Sequence, residues 1–263
     1  MELPTAEIVC LGNELLIGVT VNTNATFIGN SLTKSGYEVR RVTCIRDELE
    51  LAVDFFHEVF NRNPDVIIVS GGLGPTYDDI QLEVISKATD IPLQEDSKAL
   101  AMIETYYAQK GLPLSKERRK MAKLPIGSEV LKNDVGGAPG CFLSFKNMNI
   151  FCLPGVPSEM KDIFTKRVIP LLNEKNQIDF YEEKFRVLNC FESQLAPFIN
   201  EVKGQFSELY IKSHPAHEYK SGIVIHITGV GEIQKEKIRH ANELLKELFL
   251  KNLPKIEIKS YVE

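Results

Sequence analysis

The sequence predicts an α/β protein: a three-layer αβα sandwich on a mostly parallel sheet, followed by a small α+β domain. Three observations carry that prediction. Apolar runs of strand length alternate with segments of helical spacing through the first two thirds of the chain. Several of those runs empty directly into glycine-bearing loops. Near Asn173 to Asp179 the composition turns polar, and the pattern beyond it includes two successive strand signals. A boundary placed there divides the 263 residues into 1–174 and 175–263.

The elements follow in order. Glu7 to Gly12 is an apolar run ending in glycine, a buried strand. Asn24 to Ser35 places Phe27, Ile28 and Leu32 at helical spacing, with Gly36 as its C-terminal stop. Tyr37 to Ile45 is a second strand, and Leu49 to Asn61 a helix with a broad apolar face. Asp65 to Ser70 is a continuous apolar run, typical of a parallel strand covered on both faces. Helical patterns return over Ile80 to Ala88, Asp96 to Lys110 and the basic stretch Leu114 to Met121. A strand within Lys146 to Leu153 leads through Pro154-Gly155-Val156-Pro157 into a helix opening at Ser158. The second domain reads as strand (Lys184 to Phe191), helix (Glu192 to Lys203), strand (Glu208 to Ser213), strand (Gly222 to Gly229), helix (Glu232 to Lys251) and strand (Lys255 to Ser260).

Composition bounds the function. With 43% hydrophobic and 25% charged residues the chain is an ordinary folded protein. A net charge of −5 argues against broad nucleic-acid binding, which draws on clustered Lys and Arg. It leaves room for a small anion held by backbone N–H groups. Five cysteines without a Cys-x-x-Cys pair give neither a disulfide framework nor a zinc knuckle, and Cys10, Cys152 and Cys190 read as core residues. Neither a signal peptide nor an apolar span of membrane length is apparent, so a cytoplasmic location with no membrane partner is expected.

The chemistry concentrates in four loops. Asp65 to Ser70 runs straight into Gly71-Gly72-Leu73-Gly74-Pro75-Thr76-Tyr77-Asp78-Asp79. Gly71, Gly72 and Gly74 let the backbone approach a ligand closely, at the strand edge where open α/β sheets bind. Thr76 adds a hydroxyl, while Asp78 and Asp79 place two carboxylates where phosphate is expected. Those acids repel phosphate unless a divalent cation or a proton intervenes, and the cation makes Asp78 and Asp79 the candidate metal ligands. The rival reading is a glycine turn followed by a solvated Asp-Asp helix cap. The run lacks the Lys-Ser/Thr ending of a P-loop. Gly12 to Gly18 follows the first strand and offers Glu14, with Asn22 and Asn24 as further polar contacts. Val135 to Gly140 contributes Gly137 to a compact turn. Pro154 to Met160 contributes Gly155 and Glu159, with Ser158 as a possible cap.

Together these segments, GNELLIG, VNTNATFIGNSLTKSGYEVRR, GGLGPTYDD, GGAPG and LPGVPSEM, resemble the CinA family (competence/damage-inducible protein A) and, more broadly, the molybdopterin-binding MoaB/Mog-like superfamily. The resemblance covers about residues 5 to 172. It implies a Mog-like fold, action on dinucleotide pyrophosphates with ADP-ribose as substrate, and dependence on a divalent metal such as Mg²⁺, Mn²⁺ or Co²⁺. It also implies a KH-type second domain. The amidase domain of full-length bacterial relatives is not expected in this chain. Two departures stand out: Gln81 and Gly137, each where the family often carries Thr. By position, Asp79 matches the family's metal-linked acid, with Asp78 beside it.

The expected function is therefore metal-dependent hydrolysis of a nucleotide diphosphate linkage. Asp79 and Asp78 would be catalytic, and Glu14, Asn24, Gly71, Gly72, Gly74, Thr76, Gly137, Gly155 and Glu159 would hold a small nucleotide. A molybdopterin-binding or adenylyl-transfer protein of molybdenum cofactor assembly is the alternative. A non-enzymatic RNA-binding module is the third reading, weakened because residues 175 to 263 contain no Gly-x-x-Gly. His214 and His217 are expected on a loop between two strands, within reach of a ligand or partner subunit. A homodimer is the expected assembly.

Overall fold

The run Thr5–Leu11 is buried along its whole length and lies within a six-stranded sheet, with its one charged residue, Glu7, paired to Arg62. It belongs to a computed structural model that describes residues 2–176, 178–215 and 222–261. The contacts divide the chain into two units, Met1–Gln177 and Ile178–Glu263. Helix α8 runs to Lys175, so the division falls just past the boundary expected from composition.

In chain order the first unit comprises β1 (Thr5–Leu11), α1 (Asn13–Leu16), α2 (Thr23–Lys34), β2 (Glu38–Ile45), α3 (Leu49–Arg62), β3 (Val66–Ser70) and α4 (Gln81–Thr89). There follow β4 (Leu93–Glu95), α5 (Ser97–Gln109), α6 (Lys116–Lys120), β5 (Lys123–Pro125), β6 (Glu129–Leu131), β7 (Gly140–Phe145) and β8 (Met148–Leu153). α7 (Pro157–Ile163), a π turn (Phe164–Val168) and α8 (Ile169–Lys175) close the unit. The sheet order is β2-β1-β3-β8-β7-β6. The first four strands are parallel, and β7 and β6 are antiparallel additions.

Alternation along the strands builds two cores. Val9, Leu11, Ile67, Val69, Ile150 and Cys152 pack on one face under α3, α4 and α5. Ile8, Cys10, Val66, Ile68, Phe151 and Leu153 pack on the other under α2, α7, the π turn and α8. These are the three expected layers. Cys10, Cys152 and Cys190 are buried, as core cysteines should be. Gly36 (φ 76°) sits just past the Ser35 cap of α2, the left-handed stop read from sequence. Among the described residues no helix is long and apolar enough to cross a membrane.

The second unit runs β9 (Phe180–Leu188), α9 (Glu192–Gln205), β10 (Tyr210–Pro215), β11 (Ile223–Val230), α10 (Glu232–Asn252) and β12 (Glu257–Ser260). Its strands pair antiparallel in the order β10-β11-β9-β12. This β-α-β-β-α-β order with the first and third strands central is the split βαβ arrangement. Its core gathers Phe185, Val187, Ile225, Leu245 and Phe249. β9 begins at Phe180, earlier than expected, and it ends at Leu188 because Asn189 adopts a left-handed φ of 60° and breaks the strand. His214 lies in β10 rather than on a loop, and His217 lies outside the described residues.

Candidate functional site

Four parallel strands bring their carboxyl ends to one edge of the sheet, and their exits supply most of the site. Leu11 leads into Gly12 to Glu14, Ile45 into Arg46 and Asp47, Ser70 into Gly71 to Asp79, and Leu153 into Pro154 to Glu159. The exits are stitched together: Gly12 N–H donates to Ile45 O at 3.2 Å and Gly71 N–H to Leu153 O at 3.1 Å. They surround a cleft of about 430 Å³, lined also by Tyr106 and Tyr107 of α5, Met121, and Gly137 and Ala138. That volume suits a small-molecule ligand.

Gly71 is packed directly against the backbone of β1. Its φ is 102°, and a Cβ there would collide with the carbonyl oxygen of Leu11. Only glycine lets β3 turn beneath β1 at this point. Gly72 (φ 77°) turns the loop onward, and its carbonyl accepts from Gln81 N–H at 3.0 Å. Gln81 is fully buried and absent from the cleft wall. Its side-chain amide donates to Gly71 O and to Leu153 O. Gln81 therefore clamps the glycine loop from behind and does not line the cleft.

The two aspartates fold back on their own loop. Asp79 Oδ2 accepts from Thr76 N–H at 2.8 Å and from Thr76 Oγ1 at 2.7 Å, and the same hydroxyl contacts Asp78 Oδ1. Asp79 thus closes a turn, and α4 begins at Gln81 behind an Ile80 cap that makes no side-chain bond. The rival reading of Asp-Asp as a helix cap does not hold. The Thr76 hydroxyl is the main cause holding the Asp78 carboxyl below its ordinary value. Lys120 of α6 donates to Thr76 O (2.6 Å) and Asp79 O (2.9 Å), fastening the loop from outside.

Facing this turn stands Asp47, whose Oδ2 accepts from Asn13 N–H at 2.9 Å. Burial pushes its carboxyl above the usual range, Asn13 N–H opposes that, and the charges of Glu14, Asp78 and Asp79 raise it further. Glu14 itself is exposed and lies against Gly12, where a Cβ would come within 2.6 Å of its Oε1. Crowded carboxylates of this kind suit a hard cation. Among the described residues, however, no group of three or more His, Cys, Asp or Glu side chains is placed to hold one. A cation here would need ligands from outside the chain, such as phosphate oxygens, to complete its shell. Asp78 and Asp79 are the residues that would hold it, with Asp47 nearby.

The opposite wall is built around Glu159. A Cβ on Gly136 would overlap the Glu159 carboxylate. Glu159 Oε2 accepts from Asn133 Nδ2 at 2.6 Å. Asn133 also donates to Ala138 O (2.9 Å) and accepts from Val135 N–H (3.1 Å) and Gly136 N–H (2.8 Å), so one side chain shapes the whole turn. Burial drives the Glu159 carboxyl up, against the lowering effect of Asn133 and the Ala138 backbone. Ser158 does not cap α7: Val156 holds the cap position without a side-chain bond and Pro157 opens the helix.

Most of the predicted residues meet in this cleft: Glu14, Gly71, Gly72, Gly74, Thr76, Asp78, Asp79, Gly137, Gly155 and Glu159 all line it. Asn24 does not. It is buried, its amide donates to Ser70 Oγ (3.0 Å) and Gly155 O (2.8 Å), and it ties α2 to the exits of β3 and β8. Sequence reasoning missed Asp47, Asn133, Lys120 and the tyrosines. Asp47 was within reach, since it follows a parallel strand just as Gly12 and Gly71 do.

Comparison with known proteins agrees with this architecture. Residues 7–174 match the family described as probable molybdopterin binding domain. A protein of Sulfurisphaera tokodaii is 39% identical over 256 residues, covering 95% of this chain and 97% of its own length. One from Metallosphaera sedula is 45% identical over 215 residues, 81% of each chain. The crystal structure of CinA from Thermoplasma acidophilum, a protein of unknown function, is 40% identical with a TM-score of 0.58 and covers 63% of this chain and 98% of that one. That likeness supports a CinA-like reading of the first unit. Through residues 7–174 the chain belongs to the family described as probable molybdopterin binding domain.

Proposed function

We propose that the first unit binds a phosphate-bearing pterin of the molybdopterin class, or transfers an adenylyl group to it, within the cleft between the strand exits. The observation that carries this reading is the convergence of Gly12, Gly71, Gly72, Gly74 and Gly155 on one cleft, where bare backbone meets the ligand. The family description points the same way. The test is retention of molybdopterin by the purified protein, together with adenylylation of it from ATP. Absence of both at micromolar protein overturns the proposal.

A second reading, hydrolysis of a nucleotide diphosphate linkage, draws on a different observation: the acidic wall of Asp47, Glu14, Asp78 and Asp79. A divalent cation, when bound, supplies Lewis-acid polarisation and a more acidic water. The chain's own part is to orient the diphosphate on the Gly71–Thr76 loop and to hold a proton at Glu159, whose raised carboxyl suits acid–base work. AMP released from ADP-ribose with Mg²⁺, Mn²⁺ or Co²⁺, and lost in Asp79→Asn, supports this reading. No release with any of the three sinks it.

Nucleic acid stays outside the proposed partners, and the KH-type label of the second unit gains no support from a Gly-x-x-Gly loop. A homodimer remains part of the proposal. The run after α1 leaves Ile17, Val19 and Val21 at 67%, 76% and 81% exposure, a surface suited to a second copy. A dimer by light scattering that Val19→Asp converts to monomer is the expected result; a wild-type monomer removes the claim.

A further inference from the structure

The cleft has one wall that the phosphate chemistry does not use. Tyr106 and Tyr107, from the last turn of α5, stand against each other edge to face, with centroids 5.2 Å apart and planes at 89°. Both line the cleft. Each ring is pinned by a cation: Lys110 Nζ lies 5.0 Å from the Tyr106 centroid and Arg118 Cζ lies 4.3 Å from that of Tyr107. Opposite them the chain has Gly137, where a Cβ would stand 2.9 Å from Tyr106 Cδ1 and 3.1 Å from Tyr107 Cε2. The missing side chain and the two rings are therefore one arrangement: the turn gives up its Cβ so that the aromatic pair can close on it. Tyr106 also lines a second groove, with Lys98, Thr105, Gln109, Lys132 and Asn133, so its ring stands where the two cavities meet.

A wall of two half-buried rings beside a glycine turn offers a phosphate nothing of its own but two hydroxyls. It matches a flat heteroaromatic ring, which stacks on aromatic faces whatever its hydrogen-bonding edge. We propose that Tyr106, Tyr107 and Gly137 form the recognition wall for the planar bicyclic ring of a phosphate-bearing ligand, a purine or a pterin, whose phosphates lie on the Gly71–Thr76 loop. The inference rests on the phosphate-binding reading of that loop. Tyr106 is the residue that sets the preference for ring-bearing ligands over bare phosphates.

Calorimetric titration of the full chain with ADP, a phosphorylated pterin and inorganic pyrophosphate, each with Mg²⁺, tests it. Wild type should prefer at least one ring-bearing ligand to pyrophosphate, and the better of the two identifies the ring. Tyr106→Ala should weaken that ligand about 10-fold while leaving pyrophosphate unchanged, with Tyr106→Phe restoring affinity. Unchanged pyrophosphate binding also shows that the variant is folded. Equal affinity of wild type for all three, or an Ala variant that loses nothing or loses pyrophosphate equally, overturns the aromatic wall and leaves the phosphate loop standing. Failure of wild type to bind any of the three overturns the phosphate reading and this inference with it.

Discussion

The glycines of the strand exits have unequal roles. Gly71 combines a left-handed φ with a backbone oxygen of Leu11 in the space of its missing side chain. Gly71→Ala must therefore strain the backbone and push β3 away from β1 at once, and we expect a loss of about 2–4 kcal/mol, read from urea midpoints. An alanine variant within about 0.5 kcal/mol of wild type would show that the loop relaxes freely. Glu159 gives a prediction of opposite character, because its charge is what costs stability. Its folded carboxyl lies above its ordinary value, chiefly through burial, so the folded state binds more protons than the unfolded state in between. Stability then falls as pH rises through that window, and Glu159→Gln removes the effect. The variant should gain on wild type as pH rises above the ordinary carboxylate range, and a gain that shrinks with rising pH would contradict the assignment. At this scale the sequence named Asp79 and Glu159 by motif, yet it was silent on what each touches. Asp79 turns toward Thr76 and Glu159 toward Asn133, contacts set by chain geometry rather than by residue type.

Among the elements, even the five-residue α6 and the four-residue β12 were legible, whereas α1, the three-residue strands and β7 were not. α3 and β3 appear within a residue of where periodicity placed them, because one has a broad apolar face and the other an unbroken apolar run. The three-residue strands β4, β5 and β6 have too few positions to show alternation, and β7 opens on glycine. Missing β6 and β7 meant missing the antiparallel end of the sheet, although the turn between them that carries Gly137 was legible as a turn. That turn depends on Asn133, which makes two donor and two acceptor bonds within it. Asn133→Ala should lower stability by about 2 kcal/mol and also move a proton. Without the Nδ2 donor, the Glu159 carboxyl should rise further, since that bond is one of the causes holding it down. Carboxyl titration by NMR reads the shift; an unchanged or lowered value would mean that the turn is ordered by something other than Asn133.

At the scale of the whole chain, the polar stretch near Asn173 to Asp179 marks a division that the packing repeats. Phe56 belongs to a core of the first unit and Phe249 to that of the second, and neither cluster contains residues of the other unit. Each core answers to its own sheet: a mostly parallel one, read correctly from strand–helix alternation, and an antiparallel one whose strand order no periodicity could reveal. Pairing order depends on which strands meet across long sequence separations, as when β9 pairs with β12. Separate cores predict separate melting. Scanning calorimetry should resolve two transitions, since units with their own cores do not obey one two-state equilibrium. Phe56→Ala and Phe249→Ala each remove a fully buried ring, a loss of about 3–5 kcal/mol. Each should lower one transition and leave the other in place. If a single transition responds to both substitutions, the two units fold as one cooperative body, and the site in the first unit depends on the second for its stability.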